Sequence, residues 1–410
     1  MKLVEQHQIK SSHKFFKECD SLCFDSKNLY NYANYIIRQE FINNANYINK
    51  FEMQKKLQGA APDYLKLPAK VSQQTLRLLD KNWVSFFKSI KDWTKNPGKY
   101  LGKPKLPRYK NKLSGRFPTI YDKQAVGKSE LVKNSVAKLS KTNIKIKTKI
   151  LHTDLKQVRI IPRYDFYVIE IVYNKEIVDK KLNADNVIGI DLGVNNTCAI
   201  VSANKDINLL VNGRPLKAMN SYYNKKKAKL QSKLMKGEDD LNLKQKTSRA
   251  IRKLSNKRNN KINNYLHRIS KKIITLCLTK DVGRIIIGKN KNWKQEVNIG
   301  RKNNQNFVAI PLARLINMIT YKAELCGIIV KTTEESYTSK CSALDNESLC
   351  HHTKYLGRRI KRGLFKTRDK YILNADTNGA LNIIRKVISN FSIRENEIQG
   401  FAVSPRFLTI

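Results

Sequence analysis

Ile188-Gly189-Ile190-Asp191-Leu192-Gly193 and, far downstream, Asn374-Ala375-Asp376-Thr377-Asn378-Gly379-Ala380-Leu381-Asn382 are the stretches that decide the fold. Each sets a carboxylate where a short apolar strand gives out. The chain carries 80 Lys and Arg against 33 Asp and Glu, a formal charge of +47, so acid is scarce and its placement is informative. A carboxylate at a strand mouth repels a polyanion unless a divalent metal lies between them, which is the logic of metal-dependent nucleolytic chemistry.

Composition narrows the partner class. A free monomer with this charge repels itself, and nucleic acid is the natural source of compensating charge. At 41% hydrophobic over 410 residues there is material for two or three cored domains. No stretch approaches the roughly 18 apolar residues of a membrane span, and the N-terminus lacks a signal-peptide core, so a cytoplasmic protein with no membrane partner is expected. The seven cysteines are scattered and odd in number, which argues for reduced thiols and against a disulfide framework.

The expected fold class is α+β and multidomain. Residues 1–185 form the first half and end at the polar break Asn183-Ala184-Asp185-Asn186. Lys27 to Phe51 and Val71 to Trp93 read as helices, the second with Leu78, Leu79, Trp83, Phe86, Phe87 and Ile90 at helical spacing. The loop Lys99 to Tyr109, with Lys103, Lys105 and Arg108, is suited to phosphate contact and base stacking, or is a plain solvated linker. Short β-rich runs from Thr142 to Val172, with a Met1 to Ile9 strand, suggest a small β-barrel interrupted by the helices.

The second half alternates strands and helices. Val187 to Ile190 and Thr197 to Val201 make a hairpin around Asp191, and Asp206 to Val211 offers a third strand. A helical stretch from Lys217 to Leu278, broken near Gly237, carries Arg249, Arg252, Lys253 and Arg258 on a basic face opposite an apolar one, and is read as a nucleic-acid cradle. Arg284 to Ile287 is a buried strand, with Lys289 and Lys294 beyond it as further nucleic-acid contacts. A helix from Ala309 to Cys326 follows, then a strand Ile328 to Thr332 running into Glu334-Glu335, a final strand Lys370 to Ala375 and a helix Gly379 to Ile388. In an RNase H type sheet such strand ends converge, which gives a cluster able to hold two Mg²⁺ ions about 4 Å apart.

Each acid also has a bland meaning. Asp191 before Leu-Gly could form a turn, and Asp376 could cap the helix that follows. IGIDLGVNNTCAIV also looks like the first phosphate loop of the Hsp70 and actin ATPases, although no second Asp-x-Gly loop is seen.

Asp191 in GIDLGVNNT, the WKQE segment, ESYTSK at 335–340 and NADTNGALNIIRK together resemble the RuvC domain of TnpB, the transposon-encoded RNA-guided DNA endonuclease ancestral to type V CRISPR effectors. The resemblance extends to the first half through the KLP segment at 66–68, the Gln73 helix and the loop GKPKLPRYK. It implies a wedge-like (OB-like) barrel over 1–185 with an inserted helical recognition domain at about 20–110. An RNase H-like RuvC nuclease domain follows, from 186–332 and 371–388, with a helical insertion, a lid or target-nucleic-acid-binding insert at 333–370 and a tail at 389–410. It implies as partners a guide RNA derived from the transposon end and double-stranded target DNA, cut beside a short flanking motif.

Two departures from the family pattern stand out. The second core strand, Arg284-Ile285-Ile286-Ile287-Gly288, ends in Gly288 where the family has Glu. Some relatives with that glycine resemble this chain in having a glutamate at the end of the neighbouring strand. That resemblance implies Asp191, Glu335 and Asp376 as catalytic metal ligands for two Mg²⁺, with Mn²⁺ as a substitute; adjacent strands lie only about 4.8 Å apart, so Glu335 can reach across. Glu334 is the fallback and Glu296 a further candidate. If the site is dead instead, the chain is a nuclease-dead RNA-guided DNA-binding repressor. The second departure is that the family's two Cys-x-x-Cys pairs are missing: 341–375 holds only Cys341, Cys350, His351 and His352, so structural Zn²⁺ is not expected. The basic run Arg358, Arg359 and Arg362 in that insert is read as phosphate contact.

Overall fold

The structure is a computed structural model that describes all residues except 203–205, 236–246, 291–299, 301–303, 306–307, 389–390 and 392–404. Two compact units divide the chain, Met1–Lys175 and Glu176–Ile410, and both mix helices with sheets, as an α+β multidomain protein does. The polar break at 183–186 lies inside the second unit, where the Gly283 N–H donates to Asn183 O at 2.9 Å. No described helix is long and apolar enough to cross a membrane, and all seven cysteines are free thiols.

In the first unit, β1 (Lys2–Lys10) leads into α1 (Phe16–Asn44), α2 (Lys50–Leu57), α3 (Pro62–Leu65) and α4 (Ala69–Lys95). Then come β2 (Thr119–Asp122), α5 (Lys128–Asn134), β3 (Val136–Lys138), β4 (Lys145–Lys147), β5 (Leu155–Pro162) and β6 (Phe166–Asn174). Asn49 and Glu52 close a capping box on α2, which satisfies two of its orphan N–H groups. The strands form a four-stranded antiparallel sheet, β1-β6-β5-β2, and a separate β3-β4 ribbon. Helix α1 starts at Phe16, well ahead of the expected Lys27, because Cys19, Leu22 and Cys23 are buried in the core this sheet shares with α1 and α4.

The second unit is built on a six-stranded sheet. Its strands are β7 (Val187–Asp191), β8 (Asn196–Ser202), β9 (Ile207–Asn212), β10 (Arg284–Gly288), β11 (Ile329–Thr333) and β15 (Arg406–Phe407), in the order β11-β10-β7-β8-β9-β15. β7, β8 and β9 meander antiparallel, whereas β10 runs parallel to β7 and β11 parallel to β10. The alternation of side chains along β7 then assigns its faces. Ile188 and Ile190 join one core, with Leu266 and Ile269 of α7 (Arg249–Thr279) and Leu315 of α8 (Leu312–Glu324). Val187 joins the opposite core, with Leu381, Ile383 and Ile384 of α9 (Ala375–Arg385). Asp191, in phase with Val187 and Gly189, therefore belongs to the α9 face.

Helix α6 (Arg214–Leu234) pairs with α7, as the amphipathic pattern predicted; the break near Gly237 lies outside the described residues. The final strand differs from its expected place. β14 (Ile372–Asn374) does not join the main sheet but pairs antiparallel with β13 (Leu364–Lys366), which pairs with β12 (Arg358–Lys361). The stretch is only three residues long, and its buried Leu373 lies opposite buried Phe365, so its pairing partner is the insert.

Candidate active site

Three strand ends of one sense meet along the sheet. Register pairs Ile190 with Ile287 and Gly288 with Thr333, so Asp191, Gly288 and the turn after Thr333 stand at the same rim. Helix α9 crosses below them in close contact. A Cβ on Gly189 would fall 2.3 Å from Ala380 O and 2.7 Å from Ile384 Cγ1. At Gly379 it would fall 2.7 Å from Asp191 Oδ2. Two glycines thus let helix and strand approach until the Asp191 carboxylate rests over the first turns of α9.

Asp376 lies in the first turn of α9. It is not the cap: Asn374 is, its side chain accepting from the Asp376 and Thr377 N–H groups at 2.9 and 3.3 Å. That frees the Asp376 carboxylate, whose Oδ2 accepts from Asn196 Nδ2 at 2.7 Å. Asn196, at the start of β8, was present in the GVNNT motif, but its role could not be read from sequence. Removal from water, then the charge of Asp376, push the Asp191 carboxyl up to about 7, while the Arg359 guanidinium pulls the other way.

Glu335 occupies the space that Gly288 leaves. A Cβ at 288 would lie 2.5 Å from Glu335 Oε1, 2.8 Å from its Cγ and 2.6 Å from Ile383 Cδ1. Asn290 holds the glutamate from both ends, accepting from its backbone N–H at 2.8 Å and donating to its Oε2 at 3.2 Å. Oε1 is buried and has no hydrogen-bond partner among the described residues. Burial, then the charges of Asp191 and Glu334, push Glu335 up to about 8. Glu334 instead is exposed, bonds Ser336 and pairs with Lys386 Nζ at 3.1 Å. Its hydrogen bond from Ser336 holds its carboxyl below the ordinary range.

Asn378 and Asn382, one turn apart on α9, are brackets and not ligands. Asn378 donates to Cys341 O at 2.9 Å and accepts from Ala343 N–H at 2.9 Å; Asn382 donates to Thr338 O at 2.9 Å and Cys341 O at 2.8 Å. They tie the turn that follows Glu335 to the helix that carries Asp376. Farther into the insert, the buried Glu347 accepts from Ser342 N–H at 2.6 Å and Leu356 N–H at 2.8 Å. The Cys341 thiol is buried and donates to Ser348 O at 3.3 Å, while exposed Cys350 has its Sγ 3.4 Å from His352 Nε2. His351 is exposed and stands 6.3 Å, centroid to centroid, from Tyr337. Among the described residues no three His, Cys, Asp or Glu side chains are arranged to hold a metal ion.

The basic candidates differ in freedom. Arg358, Arg359 and Arg362 are exposed on β12 and its turn, and Lys289 is exposed at the rim beside Gly288. Arg249 and Lys253 are exposed on α7, Lys253 lining a groove of about 470 Å³ between α6 and α7. Arg252 is half-buried with partners of its own. Arg258 is spent inside the unit: its guanidinium donates to Asn220 Oδ1 at 2.6 and 2.8 Å and to Ala309 O at 2.8 Å, and packs on Tyr223. In the first unit Lys103, Lys105 and Arg108 are exposed on the loop after α4, Lys103 over the Trp93 ring. Lys294 and Glu296 of the WKQE segment lie outside the described residues.

Residues 170–294 match the OrfB_IS605 family, described as a probable transposase. Residues 313–383, which contain Glu335, the insert and Asp376, match the Cas12f1-like TNB domain. A TnpB-like protein of Methanocaldococcus jannaschii is 29% identical over 175 residues, 42% of this chain and 60% of the relative, so the chain spans less than two thirds of that relative's length. Among solved structures, the protein of a Cas12f1–sgRNA–target DNA complex shares the fold, with a TM-score of 0.55 at 14% identity over 90% of this chain and 82% of that one. Two family matches on either side of the rim that carries Asp191 and Gly288, a TnpB-like relative and a shared fold agree with the sequence motifs, and the chain is similar to TnpB-like proteins.

Proposed function

We propose that this chain is a transposon-associated, RNA-guided, Mg²⁺-dependent DNA endonuclease of RuvC type, with Asp191, Glu335 and Asp376 as its metal-binding acids. The observation that carries the proposal is Glu335 filling the space above Gly288 with a buried, unpartnered Oε1 beside Asp191. A carboxylate oxygen without a donor in a half-buried site is a costly arrangement, and a cation relieves it. The sheet order supports an RNase H-like domain, because three antiparallel strands followed by two parallel ones on the other side of the first is the arrangement expected of it. The antiparallel sheet and α1–α4 of the first unit are assigned as the wedge and the recognition helices, and 333–370 as the lid.

The donor set is all oxygen, which suits Mg²⁺. That ion is held by one or two carboxylates and completes its octahedron with water and substrate phosphate, so three converged protein ligands are not required of the free protein. When bound, Mg²⁺ supplies charge stabilisation at the scissile phosphodiester and acidifies water. The chain's own residues prepare the place for it. Asn196 orients Asp376, Asn290 orients Glu335, and Gly379 gives Asp191 room. Arg359 adds positive charge beside Asp191, where a phosphate would lie. Structural zinc is not proposed: carboxylate-to-backbone bonds from Glu347 organise the insert instead.

A nuclease-dead RNA-guided repressor is the second reading, and the observation favouring it is Gly288, which leaves the end of β10 without an acid. Plasmid-library cleavage by the protein purified with its co-expressed RNA separates the two. Wild type is expected to cut with Mg²⁺ and Asp191→Ala to bind RNA without cutting. RNA-directed DNA binding without any cutting by wild type would establish the repressor.

A further inference from the structure

Helix α1 grips the basic loop by its backbone. Lys27 Nζ donates to Lys112 O at 2.7 Å, Asn31 Nδ2 to Lys110 O at 2.9 Å and Asn34 Nδ2 to Pro107 O at 3.0 Å, while Asn31 Oδ1 accepts from Lys110 N–H at 2.8 Å. Lys27, Asn31 and Asn34 share one helix face at spacings of four and three, and Lys27 and Asn34 are themselves buried. With its carbonyls spent on α1, the loop is fixed in place and its cations stay exposed.

Between this loop and α4 lies a cavity of about 320 Å³. Asn82, Ser85, Phe86 and Ser89 line it from α4, at helical spacings of three, one and three, and Lys105 and Arg108 line it from the loop. Phe86 is held rigidly, edge-on to Trp83 at 87° and to Phe41 at 88°. Asn82 Nδ2 donates to Tyr30 OH at 3.3 Å, which fixes its amide and leaves Oδ1 without a donor among the described residues. Neither Lys105 nor Arg108 pairs with a carboxylate among the described residues.

We propose that this pocket holds one unpaired RNA nucleotide, its base against Phe86 and hydrogen-bonded by Asn82, Ser85 and Ser89, its phosphate between Lys105 and Arg108. An aromatic ring, an amide, hydroxyls and two free cations in one small recess are the groups a splayed nucleotide needs. RNA is the source because folded RNA presents unstacked bases and 2′-hydroxyls, whereas duplex DNA keeps its bases stacked. The proposal rests on the RNA-guided reading and deepens it.

The test is 2′-hydroxyl acylation probing of the RNA co-purified with the full chain, together with RNA affinity across a salt series. Wild type should protect one unpaired nucleotide. Asn82→Ala/Ser85→Ala should expose that nucleotide alone and weaken binding about tenfold with the salt slope unchanged. Lys105→Ala/Arg108→Ala should lower the slope by about one to two. All four positions are exposed, so folding is not at stake. Wild-type protection and affinity in both variants, or a pocket nucleotide that cross-links to target DNA and not to RNA, would overturn the assignment. A wild-type protein that binds no RNA would overturn the guided reading and this proposal with it.

Discussion

Gly288 and Glu335 compete for one volume: any side chain at 288 would place its Cβ 2.5 Å from the Glu335 carboxylate oxygen. The glycine at the end of β10 and the glutamate after β11 are thus one feature: the first leaves the space that the second fills. Gly288→Ala should displace Glu335 and reduce DNA cleavage at least tenfold while RNA binding holds, since overpacking of this kind costs about 1–3 kcal/mol. Gly288→Glu combined with Glu335→Gly should recover more activity than either change alone, measured as a double-mutant cycle on cleavage rate.

Stability should depend on pH and on metal. The folded-state values of Asp191 and Glu335, about 7 and about 8, exceed those of free carboxyls, so the folded state binds the extra protons. The stability they contribute is full below about pH 4 and is lost as pH rises through 7 to 8. At pH 8 the metal-free protein should therefore melt higher as Glu335→Gln than as wild type. Mg²⁺ should raise the wild-type Tm and leave the variant's nearly unchanged; thermal melts with and without chelator decide this.

Arg359 should tune the reaction's acid limb. Its charge lowers the Asp191 carboxyl, so Arg359→Ala should raise it and move the low-pH limb of the cleavage profile upward. Arg359→Lys should restore much of the profile's position but less of the rate, because a point charge does not reproduce a guanidinium fork.

Asn382 should matter for architecture. It is fully buried and donates to two carbonyls, Thr338 O and Cys341 O. Asn382→Ala leaves both without that donor and should destabilise the second unit by about 1–3 kcal/mol in denaturant unfolding. Cleavage should fall as well, because the turn after Glu335 loses its anchor.

Several of these relationships were legible in the sequence because they are local. The apolar run before Asp191, the hairpin into β8 and the periodicity of α4 announce themselves, whereas the last helix was expected from Gly379 with Asp376 as a possible cap and starts at Ala375 with Asn374 as its cap. What could not be read depends on tertiary neighbours. β14 was too short to declare its partner, and it pairs with the insert. Buried Lys27 and Asn34 of α1 serve a loop 85 and 73 residues away, a distance no periodicity reveals. Arg258 looked like its basic neighbours on α7, yet Asn220 and Ala309 O take up its donors. Glu335 and Gly288 could be paired only by family resemblance, since complementary volumes leave no mark in sequence spacing.

Glu335, and not Glu334, is proposed as the third acid. This assignment is tested most directly by the rate of Mg²⁺-dependent plasmid cleavage by the RNA-loaded wild type, Glu335→Gln and Glu334→Gln, with RNA content measured in each. Wild-type and Glu334→Gln proteins should cut at similar rates, and Glu335→Gln should fall by about a hundredfold or more, as loss of a charge-stabilising group does. Cleavage by Glu335→Gln at the wild-type rate would contradict the account.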